Sequence, residues 1–99
     1  MLTESLFVRL EAKPGKEQEV AAFLAQGLTL ANQEATTPVW FALRLGPTTF
    51  AIFDSFKDEA GRQQHLNGPI AKALMAQAPT LLAAAPVIEP MDVLGVKLP

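Results

Sequence analysis

Few side chains in this sequence can do acid–base chemistry. His65 is the only histidine in 99 residues, and imidazole titrates close to neutral pH, so it can take a proton from an acidic hydroxyl and return it. Asp54 stands in the apolar run F-A-I-F-D-S-F at 50 to 56, where a carboxylate is costly to bury without a partner. A contact with His65 would orient the imidazole. A salt bridge to Arg9, Arg44 or Arg62, or exposure near a strand end, would satisfy the acid equally well. Trp40, Phe53 and Phe56 can form flat walls that stack an aromatic molecule, or they can fill a core or an interface. Arg44, among apolar neighbours, suits a substrate oxygen or a developing enolate charge, the alternative being an ion pair with Glu11 or Asp54. Asn67 can donate to a carbonyl, although Asn before Gly-Pro commonly ends a helix.

These residues need elements to position them. Leu2 to Ala12 alternates, with Leu6, Val8, Leu10 and Ala12 on one side and Ser5, Phe7, Arg9 and Glu11 on the other, the pattern of a strand. Lys13-Pro14-Gly15 ends it, and a helix follows with Val20, Phe23, Leu24, Leu28 and Ala31 at helical spacing. Gly27 within that helix costs about 1 kcal/mol against Ala unless something packs close to it. Val39 to Leu45 and Phe50 to Phe56 read as a hairpin around Gly46-Pro47-Thr48. The pairing that gathers the most apolar surface puts Val39, Phe41, Leu43 and Leu45 on the side of Phe50, Ile52, Asp54 and Phe56, while a one-residue slip would exchange the faces.

Asp58-Glu59-Ala60 starts a short helix to about Leu66, and Asn67-Gly68-Pro69 stops and restarts the chain. A third helix carries Ile70, Ala71, Leu74, Met75 and Ala78, with Pro79 restarting one more turn over Thr80 to Ala84. Val87 to Leu98 reads as a long edge or bulged strand, because it contains Pro90 and Gly95. The order strand, helix, strand, strand, helices, strand is the split βαβ pattern: one α+β, ferredoxin-like domain over residues 1–99, a four-stranded antiparallel sheet with helices on one face. Phe7, Trp40, Ala42, Ala51 and Phe53 then fall on the opposite face, and that second apolar surface calls for a partner, most simply a homodimer made by sheet packing.

Composition removes other function classes. The chain is 49% hydrophobic, has no cysteine and carries a net charge of −2, which excludes a disulfide framework or thiolate metal site and disfavours nucleic acid as a partner. Its apolar runs fall far short of the roughly 20 residues of a membrane span, and no basic segment leads into a secretory core, so a cytoplasmic protein without membrane attachment is expected. No phosphate loop, dinucleotide fingerprint, metal-ligand cluster or nucleophile triad is present.

Four segments together resemble the antibiotic biosynthesis monooxygenase domain family across nearly the whole chain: K-P-G-K-E at 13 to 17, F-A-I-F-D-S-F at 50 to 56, D-E-A-G-R-Q-Q-H-L-N-G-P at 58 to 69 and V-I-E-P-M-D-V-L at 87 to 94. The resemblance implies a dimeric α+β barrel and cofactor-free oxygenation of a small aromatic or quinol-like substrate by dioxygen, without metal or organic cofactor. His65 stands at the family's helix-two histidine and would be the general base, with the strand-three acid Asp54 as its orienting partner. Trp40, Phe53, Phe56, Arg44 and Asn67 would hold the substrate. The chain departs from the pattern at Phe56, where Trp is usual, and at Ile70, where a second histidine is frequent. Haem degradation would require Asn, Trp and His where Val8, His65 and Met75 stand. There is no tyrosine to polarise a quinol. On the same fold, a non-catalytic dimeric ligand-binding module and an isomerase are the alternative readings.

Overall fold

Alternation of apolar and polar residues produces the first strand, β1 (Glu4–Glu11), and its even-numbered side chains Leu6, Val8 and Leu10 are all buried. The computed structural model describes residues 1–99 and continues with α1 (Glu17–Ala31), β2 (Val39–Arg44), β3 (Thr49–Phe56), α2 (Glu59–Leu66), α3 (Pro69–Leu81) and β4 (Val87–Asp92). The strands form one antiparallel sheet in the order β2-β3-β1-β4. One face of that sheet meets the helices: Val8, Leu10, Phe50 and Ile52 share a core with Val20 and Leu24 of α1 and Leu74, Ala78 and Leu81 of α3. This is the expected α+β ferredoxin-like architecture. No helix is long and apolar enough to cross a membrane.

The hairpin corrects the sequence reading. Leu45 N–H donates to the Thr49 carbonyl at 2.8 Å, leaving Gly46-Pro47-Thr48 as an odd-numbered loop, so residues of like parity pair: Trp40 with Asp54, Phe41 with Phe53 and Ala42 with Ile52. Trp40, Ala42 and Arg44 therefore share the helix-facing side with Asp54, while Val39, Phe41 and Leu43 lie on the outer face. Proline contributes to the choice. Pro47 fixes φ near −65°, which bars the two-residue turn that needs positive φ at both central positions; Gly15 is the only residue with positive φ. Packing reinforces it, because the Trp40 indole lies where a side chain at Gly27 would be, with ring atoms 3.3 and 3.4 Å from an ideal Cβ there. The missing side chain in mid-helix is thus matched by a close neighbour. Leu28, expected in the core, is half exposed instead.

Two element ends also differ from expectation. Pro79 does not restart a new turn; it lies inside α3, which runs on to Leu81. The helix end is tied to the end of β1 by hydrogen bonds from Lys13 N–H to Leu81 O (2.9 Å) and from Ala83 N–H to Glu11 O (2.8 Å), and Lys13 Nζ donates to Pro79 O. β4 is an edge strand carrying Pro90, as expected, but it stops at Asp92, and after Val93 N–H reaches Thr3 O the chain leaves the sheet.

The outer face carries Phe7, Phe41, Leu43, Ala51 and Phe53, with Phe41 stacked on Phe53 at 6.2 Å between ring centroids. Phe41 and Leu43 are 52% and 39% exposed. Ser5 and Ser55 share a buried hydroxyl hydrogen bond of 2.6 Å beside them.

The Gly27–Trp40 contact can be tested directly. Gly27→Val would force the indole to move, and overpacking of this kind costs about 1–3 kcal/mol. Urea denaturation should show a lower midpoint and a red-shifted Trp40 emission; an unchanged midpoint and spectrum would show that the indole has room to spare.

Candidate active site

Three elements converge on one imidazole. Asp58 caps α2, its carboxylate accepting from Gly61 N–H at 2.8 Å. Gly61 and His65, four residues apart, occupy the buried side of that helix. Gly61 is small for a reason: a Cβ there would stand 3.2 Å from the Thr36 carbonyl. The connection between α1 and β2 consequently runs against α2 and carries Glu34 to His65. Glu34 is held by its own turn, with Thr37 N–H donating to its carbonyl at 3.1 Å and Thr37 Oγ1 donating to Oε1 at 2.9 Å. β3 brings Asp54 from the sheet.

The imidazole lies between two carboxylates. Nδ1 is 2.8 Å from Glu34 Oε1, and Nε2 is 2.9 Å from Asp54 Oδ2. The Glu34 contact is a directed hydrogen bond, whereas the Asp54 contact is a close charge pairing off the N–H line, since neither Asp54 oxygen accepts a hydrogen bond in line. Asp54 is 0% exposed and His65 6%. Phe56 packs on the ring at 5.4 Å between centroids. Burial pushes the Asp54 carboxyl upward from the ordinary carboxylate range, with Glu34 adding to the effect, and the contact with His65 only partly offsets it. For His65, burial alone favours the neutral ring, but the close contacts and charges of Asp54 and Glu34 outweigh it and raise its proton affinity above the usual histidine value. Both nitrogens face an anion, so the protonated ring fits this setting better than either neutral tautomer.

His65 is the one polar residue lining an apolar hollow of about 90 Å³ beneath α2 and α3. Leu6, Val8, Ile52, Ile70 and Leu74 form its walls, and the exposed Met75 and Ile88 form its rim. A ring nitrogen with a raised proton affinity beside an apolar hollow can exchange a proton with a guest there.

The expected site residues divide. His65 and Asp54 come together. Phe56 is fully buried behind the imidazole and offers no free face to a guest. Trp40 pairs with Asp54 in the hairpin, on the helix side, and its Nε1 is buried without a partner. Phe53 is on the opposite face of the sheet, stacked on Phe41, so it cannot form a wall with Trp40. Arg44 lies at the end of β2 over the Phe50 ring, 4.6 Å from its centroid, outside the hollow. Asn67 ends α2, its backbone N–H donating to Gln63 O, and its side chain is exposed. Arg62, an alternative partner for Asp54, instead pairs with Glu4 and Glu59. Glu34 is the residue that sequence reasoning missed; its only local signal is Thr37 three residues later, which marks a turn and not a site.

No family model matches the sequence, and no curated protein matches it. Solved structures do. The NE2512 protein of unknown function from Nitrosomonas europaea is 61% identical, the alignment covering 100% of this chain and 96% of that one, with a TM-score of 0.98. A protein provisionally named an antibiotic biosynthesis monooxygenase, also from Nitrosomonas europaea, is 13% identical over 93% of this chain and 90% of that one, at a TM-score of 0.82. Another with that provisional name, from Caulobacter crescentus, is 18% identical over 95% and 92% of the two chains, at 0.80. At such low identities the likeness is one of fold.

The carboxylate clamp has a consequence for stability. A native-state value raised above the unfolded one stabilises fully below about 6.5, the unfolded histidine value, and the contribution is lost as pH rises through the raised value. Asp54, also raised, acts in the same sense from a lower pH. Thermal melting from pH 6 to 9 should show a midpoint that falls with rising pH, with a flatter course in His65→Gln. Parallel curves for the two proteins would contradict the clamp.

Proposed function

Since the chain belongs to the family of the Nitrosomonas europaea NE2512 protein and has the fold of the antibiotic biosynthesis monooxygenase structures, we propose that it is a cofactor-free oxygenase acting on a small aromatic or quinol-like substrate. One observation carries the reading: the only polar residue facing the apolar hollow is an imidazole with a carboxylate at each nitrogen. Neutral His65 takes the proton of a substrate hydroxyl, and Asp54 and Glu34 stabilise the imidazolium that forms. Nδ1 is engaged by Glu34 in line, which leaves Nε2, off the Asp54 line, as the exchanging nitrogen. The electron-rich substrate anion then reacts with dioxygen.

The size of the hollow shapes the proposal. Ligand sites commonly enclose about 300–1,000 Å³, so a space of about 90 Å³ suits dioxygen and the reacting edge of a ring, the remainder projecting past Met75 and Ile88. Methionine adapts easily at such a rim. Trp40 stands beside Asp54 and Phe56 behind His65, while Phe53, Arg44 and Asn67 take no part at this hollow.

Assembly is the second component. The outer sheet face with Phe7, Phe41, Leu43 and Phe53 suits a second copy of the chain, because an apolar patch of stacked aromatics is costly to leave in water. Light scattering should find a particle of two chains. Phe41→Glu, at an exposed position that leaves the core alone, should give a single-chain particle with unchanged circular dichroism; a native single-chain particle would end the dimer reading.

For catalysis, an oxygen electrode with a panel of naphthoquinols and anthrones should record uptake by the native protein and at least a hundredfold loss in His65→Ala, the low end for a general base. Because the neutral ring is the active form, the rate should rise with pH along a limb centred above the ordinary histidine value. Glu34→Gln removes one of the charges that raise it, so the limb should move to lower pH. Uptake that is indifferent to His65→Ala, with the dimer intact, would show that the imidazole is not the base.

A further inference from the structure

A second cavity shares no residue with the hollow at His65. It is a groove of about 550 Å³ between α1 and the edge strand β2, and nine of its ten lining residues are hydrophobic. Its origin is a run of small side chains. Ala21, Leu24, Ala25 and Leu28 form one stripe of α1 at helical spacing, with Ala42 and Trp40 of β2 facing them, and Phe41 and Leu43, which the dimer reading gives to a second copy, border the groove where it opens at the edge of β2. Alanine at 21, 25 and 42 leaves the space between helix and strand unfilled, and the indole lodged against Gly27 closes one part of the wall. The volume lies within the range of small-molecule sites.

Arg44 is the single charged residue of this groove. The ion pairs of the chain are made by Lys16, Arg62 and His65, so Arg44 has no carboxylate partner. Its guanidinium is laid over the Phe50 ring at 4.6 Å, and its one protein acceptor, the Pro47 carbonyl, is a distant 3.5 Å from Nη1. A position over an aromatic face holds the guanidinium at the groove while leaving most of its five donors free, and a guanidinium with free donors can receive a carboxylate through two parallel hydrogen bonds.

We propose that this groove binds an apolar carboxylate, the hydrocarbon body lying along the alanine stripe of α1 and the carboxylate paired with Arg44. The occupant follows from complementarity: an apolar groove of this volume takes a hydrocarbon, and one unpaired cation beside it takes one anionic end. Nothing in this inference depends on oxygenase activity.

The chain supplies its own reporter, because Trp40 lines the groove and is the sole tryptophan. Decanoate, below its micellar concentration, should change Trp40 emission saturably in the native protein. Affinity should rise up to about fourfold for each methylene added from hexanoate to decanoate, the value of a buried CH₂. Arg44→Gln should weaken decanoate about tenfold, the scale of one charge-assisted hydrogen bond, and leave decanol unaffected. Ala25→Phe, at an exposed position on α1, should abolish binding of both. No saturable change with any chain length, or equal decanoate affinity in Arg44→Gln, overturns the proposal. Emission that changes with protein concentration alone, and that decanoate reverses, assigns the groove to a second copy of the chain and overturns it as well.

Discussion

A carboxylate buried in the middle of a sheet is the constraint around which this structure is arranged. Asp54 is 0% exposed on the helix-facing side of β3, between Ile52 and Phe56. Taking an ion out of water costs several kcal/mol even after relaxation, and leaving such a charge without its partner typically costs 3–5 kcal/mol. The remedy comes from outside the sheet. α2 must start where Asp58 caps it and must turn Gly61 and His65 inward together. The α1–β2 connection must then lie against Gly61 so that Glu34 can reach the second nitrogen of the ring. Burial is the main reason that Asp54 is pushed toward its neutral form, and the charge of Glu34 adds to it.

The same clamp sets the chemistry that His65 can do. Two carboxylates make the imidazole a stronger base, but a stronger base is free to act over a narrower, higher range of pH. They also occupy space around both nitrogens, through a directed contact at Nδ1 and an off-line contact at Nε2. Volume and reactivity are divided between two places. The hollow with the titratable residue is small, and the roomy groove has only a cation. A substrate with a large ring system would therefore present an edge to His65 without being engulfed there.

The fold was legible because its determinants are local. Alternation in β1 sorted Leu6, Val8 and Leu10 from Arg9 and Glu11, and helical spacing placed Val20, Leu24, Leu74 and Ala78 in the core, where they lie. Pro69, expected in a first turn, marked the start of α3, whereas Gly68, expected to cap the end of the preceding helix, is the N-cap of α3 and Asn67 ends α2. The meeting of His65 and Asp54 was legible as a choice among partners, since a buried acid requires one. Glu34 was not legible: it is 31 residues from His65 along the chain, and only the approach of one loop to Gly61 joins them. The end of α3 was misread for a related reason. Hydrogen bonds to β1 hold the helix together beyond Pro79, and those are tertiary contacts that local rules do not contain.

The register of the hairpin shows how much rests on a single turn. Apolar residues lie on both faces of β2, so burial alone favours neither pairing strongly, and the odd-numbered loop Gly46-Pro47-Thr48 decides it. Had the strand slipped by one residue, Phe41 and Leu43 would face α1 in place of Trp40, Ala42 and Arg44. Two large side chains would then fill the space that Ala42 leaves open, the unpaired guanidinium would be turned away from the alanine stripe, and Gly27 would lose the indole that occupies its vacancy. The outer face would lose the Phe41–Phe53 stack at the same time. One three-residue loop thus governs the wall beside Asp54, the groove along α1 and the aromatic surface on the far side of the sheet.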